Sequence, residues 1–275
     1  MLSKLLKYEL KATARWFLPM YAGVFALALI NRLLLFFQPY LNHNMLLSRF
    51  YELINGLTIL GYILVIFATF ALTFFIMLHR FYKNLLGDEG YLMFTLPVSS
   101  SQLVISKLIT SCLWTIATIV VTLSSIFILL VNEDLFSILN WFFKEITRVI
   151  MTYEGIQATL ICIELIVLML CSLIQGILMM YTALALGGTR SGHKILYSFG
   201  FYMLINFAMQ VITSIVIFVG GMILDNDFIA AVSSNIPPYV IIHFLMLSSI
   251  IIAIIFSVVE FIVTNYVLSK KLNLE

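Results

Sequence analysis

Six stretches of almost uninterrupted apolar residues divide the chain. They run from Phe17 to Phe37, Leu53 to Leu78, Leu103 to Val131, Gln157 to Leu186, Ile195 to Leu224 and Tyr239 to Leu268. A helix needs about 20 mostly apolar residues to cross a bilayer, because its backbone groups must bond within the helix where water is absent. Each stretch meets that length, and several are long enough to require tilt or emergence at their ends. No alternating strand pattern is present, which excludes an outer-membrane barrel. The predicted fold is all-α, a polytopic membrane protein with six transmembrane helices forming one transmembrane domain over 1–275.

Polar residues recur at helical spacing in two further segments. Over residues 1–15, Lys4, Lys7, Lys11 and Arg15 share one face of a helix and Leu2, Leu5, Leu6 and Leu10 share the opposite one. This pattern predicts an amphipathic helix lying in the headgroup layer with its cations toward anionic lipid. Glu9 interrupts the leucine face, either as a snorkelling surface residue or as an intersubunit contact. Within residues 132–156, the stretch from Asp134 to about Met151 places Leu135, Leu139, Phe142, Phe143, Ile146 and Val149 at helical spacing, predicting a second interfacial helix. The basic start followed by Ala26-Leu27-Ala28 imitates a secretion signal. The apolar run continues to Phe37, too far for a signal peptide, so it is read as a retained first span.

Composition strengthens the membrane reading. Of 275 residues 63% are hydrophobic and 10% charged, with a mean hydropathy of +1.11. Soluble domains carry about a quarter charged residues. The net charge of +2 is spread over short loops, with no basic patch for nucleic acid. Cys112, Cys162 and Cys171 all fall in apolar stretches without metal-binding spacing and read as packing residues.

Orientation follows from Lys and Arg. Eleven of the fifteen lie at one set of helix ends: Lys4, Lys7, Lys11, Arg15, Arg80, Lys83, Lys107, Arg190, Lys194, Lys270 and Lys271. The other ends hold Arg32, Arg49, Lys144 and Arg148. Both termini are therefore expected in the cytoplasm, with the acidic stretches 132–134 and 225–227 outside.

Enzyme signatures are missing. There is no HExxH, GxSxG or Walker sequence, and Gly-Lys never occurs. This chain is not expected to be an enzyme or to hold a cofactor. If ATP drives it, ATP and Mg bind elsewhere.

The loop between the second and third spans, residues 80–102, is the most informative segment. Gly87 and Gly90 punctuate it, and Asp88 and Glu89 suit the first turn of a short helix. That helix would run from about Glu89 to Thr95 and stop before Pro97. Ser99 and Gln102 then have capping-box spacing for the third span. The short helix carries Tyr91, Leu92, Met93 and Phe94, large apolar side chains on a loop. They suit either an interfacial hairpin or a peg docked in a partner's groove.

The run RFYKNLLGDEGYLMFTLPVSSSQLVISKLI, residues 80–109, resembles the first cytoplasmic loop of the type-2 ABC exporter permeases of Gram-positive bacteria. The resemblance implies two associated permeases, a second copy or a sister chain, above two separate nucleotide-binding ATPase subunits that hold ATP and Mg. It implies a coupling helix formed by Asp88, Glu89, Tyr91, Leu92, Met93 and Phe94, and a bacterial cell-membrane location. The outer segment between the fifth and sixth spans is too short for a folded domain, which weighs against a large extracellular polymer as cargo.

Ionisable groups within spans are costly and count as functional candidates. Glu164 lies in the fourth span on a face with Cys171 and Gln175, and Glu260 in the sixth with Ser257 and Thr264. Each faces either a substrate path or a neighbouring helix. Tyr202, Asn206, Gln210 and Ser214 recur every four residues along the fifth span, a stripe suited to interhelical hydrogen bonds or to a path. In the family resembled, the second and fifth spans approach the dimer axis, which makes Thr58, Thr69 and Thr73 the matching second-span positions. The resulting expectation is an exporter of amphipathic or hydrophobic peptides, such as bacteriocins or cytolytic toxins of the phenol-soluble-modulin kind. The alternative is an ion-gradient-driven secondary transporter using Glu164 and Glu260. It predicts paired repeats and broken helices, neither of which the sequence displays.

Overall fold

The computed structural model describes residues 2–41, 45–87, 89–95, 97–131, 137, 140–145, 147–148, 155–190, 192–223 and 237–270. These residues form helices and short connections, with no strand among them. The helices are α1 (Leu2–Leu41), α2 (Met45–Phe81), a π-helical turn (Tyr82–Leu86), α3 (Glu89–Phe94), α4 (Ser100–Leu130), α5 (Gly155–Gly188), α6 (Lys194–Ile223) and α7 (Pro238–Lys270). Six of them, all but the π-helical turn and α3, are long and apolar enough to cross a membrane. The chain is a multi-pass membrane protein. Its outward side chains fit that solvent: Phe67, Leu57 and Phe207 are each more than two-thirds exposed on spanning helices.

Two elements differ from expectation. The basic amphipathic stretch and the first span form one unbroken 40-residue helix, α1, about 60 Å long. Just ahead of the expected boundary Thr13 turns its hydroxyl back onto its own helix, donating to the carbonyls of Glu9 and Leu10. Helix α2 starts at Met45, eight residues before the apolar run, and Tyr51 donates to the Leu34 carbonyl at 2.8 Å. Tertiary contacts thus extend helices past their apolar windows. Most of the outer segment 132–156 lies outside the described residues, although 140–145 is helical. Residues 224–236 also lie outside them.

The chain forms two compact units. One comprises Met1–Arg80 with Ile105–Phe142, and the other Phe81–Val104 with Phe143–Glu275. Hydroxyl groups bind the helices of the first unit together. Phe17 stacks on Trp114 with centroids 4.4 Å apart, and the Trp114 indole donates to Thr13 at 2.7 Å. Tyr21 and Thr73 both bond Thr118, and Tyr62 bonds Ser125. Buried Asn31 donates to the carbonyls of Leu27 and Thr58. In lipid, where apolar burial brings no gain between helices, such bonds and close packing hold a bundle.

In the second unit α5 packs against both α6 and α7. The α5–α6 approach depends on Gly187, where a Cβ would fall 2.1 Å from Ser198 Oγ and 2.6 Å from its Cα. Gly192, at φ +104°, turns the chain between them in a conformation L side chains rarely adopt. Thr182 of α5 and Thr264 of α7 share a hydrogen bond of 2.9 Å, and Thr182 also reaches the Glu260 carbonyl.

Candidate functional site

The short helix α3 belongs to the second unit, although the helices flanking its loop lie mostly in the first. The entry to α3 is anchored in a core. Phe81 is fully buried and stacks on Tyr181 of α5, with centroids 4.0 Å apart and rings 11° from parallel. Asn84, Leu85 and Leu86 of the π-helical turn are buried, and Leu86 packs against Gly188, where a Cβ would meet its Cδ2 at 2.9 Å. A π-helical turn stores one extra residue in the helix. Here it directs Phe81, Leu85 and Leu86 into one apolar core while the chain leaves toward α3.

The Gly90 amide donates to the Gly87 carbonyl at 2.8 Å, and Lys83 pairs with Glu89 at 2.9 Å, tying the π-helical turn to the start of α3. At the far side, the Ser100 hydroxyl at the head of α4 donates to Asn265 of α7 at 2.7 Å. The Gln102 amide donates to Ser99 Oγ at 3.4 Å, one half of the expected capping box. Between these anchors Tyr91 and Leu92 are each 67% exposed, and Met93 is half-buried. Two large apolar side chains therefore project from a peg held at both ends. Asp88 lies outside the described residues, as does the side chain of Phe94.

The polar positions of the spans divide between the units. Thr69 and Thr73 are buried in the first, where each donates to a carbonyl four residues back and Thr73 also meets Thr118. Thr58, half-buried, donates to the Asn55 carbonyl. In the second unit Tyr202 and Asn206 are half-buried, whereas Gln210 and Ser214 are exposed on α6. Gln210 donates to Asn206 at 3.3 Å, so the stripe is internally bonded yet presents an amide and a hydroxyl at the helix surface.

Glu164 has a partner that the sequence reading missed. His243 Nδ1 lies 2.8 Å from a Glu164 carboxylate oxygen, and its Nε2 lies 3.1 Å from the Gln157 side chain. Glu164 and His243 side chains are each 16% exposed. An amide can present oxygen or nitrogen to a ring nitrogen, so the imidazole keeps both hydrogen bonds in either charge state. Of the four histidines only His243 falls inside a predicted span, at a depth from the outer end similar to that of Glu164, and that coincidence was the available signal. Glu260 is different. It is 5% exposed, and neither carboxyl oxygen has a hydrogen-bond partner among the described residues.

Glu9 is not a snorkelling surface residue. Glu9 is buried and accepts hydrogen bonds from Arg80, at 2.9 Å, and from Lys107. One carboxylate thus fixes the ends of α2 and α4 against α1. Buried pairs of this kind cost about 3–5 kcal/mol to break from one side.

Comparison of the chain with protein-family models, with curated proteins and with solved structures finds no match.

Proposed function

We propose that this chain is the membrane-spanning permease subunit of an ATP-driven ABC exporter, working as a dimer with a second copy or a sister permease. Nucleotide-binding ATPase subunits, which hold ATP and Mg, dock on the segment from Asp88 to Phe94 in the cytoplasm of a bacterial cell. Both termini are cytoplasmic, and the basic start of α1 borders the inner leaflet. The cargo is an amphipathic or hydrophobic peptide, so that export and self-protection are one act. Supporting this reading most strongly is the exposure of Tyr91 and Leu92 on a peg anchored at both ends. A free interfacial loop needs no such anchorage. A force transmitter does, since movement of α3 is passed to α5 through Phe81 and Leu86 and to α7 through Ser100. The resemblance of residues 80–109 to the first loop of ABC exporter permeases points the same way.

The exposed part of the α6 stripe, Gln210 and Ser214, fits a helix facing a partner permease or a path rather than lipid. Thr58, Thr69 and Thr73 complete the proposed route. A second reading, a gradient-driven transporter, is favoured by the Glu164–His243–Gln157 group.

The test is affinity purification of the tagged chain from gently solubilised membranes. A stoichiometric second polypeptide carrying a Walker sequence is expected to co-purify, and Y91A/L92A is expected to release it. Retention of the partner by that double variant would remove α3 from the interface.

A further inference from the structure

Near the amino-terminal end of α1 the first unit contains a groove of about 660 Å³ lined by Tyr8, Lys11, Ala12, Arg15, Trp16 and Arg80. Tyr8, Ala12 and Trp16 follow one another at four-residue intervals along α1, as do Lys11 and Arg15, and Arg80 comes from the end of α2. We propose that this groove binds the headgroup of an anionic phospholipid, a site independent of the exporter reading.

The lining holds three cationic side chains and no carboxylate. Glu9, the only acidic residue among the first 50, is buried and spent on Arg80 and Lys107. Lys11 and Arg15 are exposed and form no ion pair among the described residues. A headgroup with net negative charge finds donors here. A zwitterionic one brings an ammonium group to a place with two exposed cations and nothing to neutralise it.

The apolar surroundings separate a lipid from a soluble anion. Tyr8 is 71% exposed and Trp16 67%, a pair of aromatic side chains of the kind that settle at headgroup depth. Leu18, 61% exposed, continues the surface toward the apolar middle of α1. The groove therefore opens where a basic helix end meets a lipid-facing wall, a place for an anionic head with its acyl chains lying along α1. Basic pockets between spanning helices recognise headgroups by this combination.

Trp16 is the natural reporter. With W114F/W141F it becomes the single tryptophan. The variant is reconstituted into vesicles in which either phosphatidylglycerol or phosphatidylcholine, at equal mole fraction, carries bromine on its chains. Quenching of Trp16 is expected to be stronger with the brominated phosphatidylglycerol. K11Q/R15Q should remove that preference, by about fivefold in relative affinity per cation. Inorganic phosphate, against chloride at matched ionic strength, should leave it unchanged. Equal quenching by the two lipids, or a preference that survives K11Q/R15Q, overturns the proposal. Loss of the preference to free phosphate also overturns it and makes the groove a soluble-anion site. Because W114F removes the indole bond to Thr13, the phospholipid classes retained by the otherwise native chain in detergent are measured in parallel. Loss of retained phosphatidylglycerol from K11Q/R15Q supports the site, and equal retention refutes it.

Discussion

A carboxylate withdrawn from water is costly unless paired, and Glu9, Glu164 and Glu260 differ in what surrounds them. Glu9 holds two cations, Glu164 holds a histidine, and Glu260 has no partner among the described residues. The Glu164–His243 pair is expected to act in transport rather than in packing. E164Q and H243N should each slow export several-fold while the amount of assembled complex stays constant in a detergent extract. Unchanged export in both variants would assign the pair to helix packing. Glu164 is legible in the sequence as a costly group; its partner, 79 residues away, carries no local signal that ties it to that carboxylate. Glu9 was misread because a helical wheel considers one helix alone. Its partners lie 71 and 98 residues along the chain, and only tertiary structure turns an intrusion on a leucine face into the centre of an ion cluster.

At the scale of elements, apolar length is a strong signal: four of the six stretches lie wholly within a long helix, the third overruns its helix by Val131 alone, and the fifth lies within its helix up to Ile223, where the described residues stop. Helix ends are weaker signals. Pro19, which has no N–H for the Arg15 carbonyl, is a local signal for an end there, yet α1 runs through it, and α2 begins ahead of Leu53, where Tyr51 reaches the Leu34 carbonyl. The π-helical turn carries no local signature, since it arises from burying Phe81, Leu85 and Leu86 together. The α5–α6 crossing gives a sharp test of packing. G187A places a methyl group against the Ser198 backbone and is expected to destabilise the protein by about 1–3 kcal/mol. G176A, on the same helix with nothing within 4 Å of the added carbon, should be neutral. Thermal melting of both variants in one detergent measures the contrast. Equal melting temperatures would mean that α5 and α6 do not approach at Gly187.

For the whole molecule, the division of the chain is the feature that composition concealed. Six similar apolar stretches read as one bundle, yet the loop 81–104 clusters with the last three spans and leaves its flanking helices largely in the other unit. On the proposed function, that loop delivers work done by a partner to α5 and α7. The most direct test is transport by purified components. The chain is reconstituted alone, and together with its co-purifying nucleotide-binding subunit, in vesicles presented with a fluorescent amphipathic helical peptide. Peptide is expected to cross only when the partner, ATP and Mg are all present, and Y91A/L92A is expected to abolish the movement. Peptide transport by the chain alone, driven by a proton or sodium gradient, would overturn the permease reading.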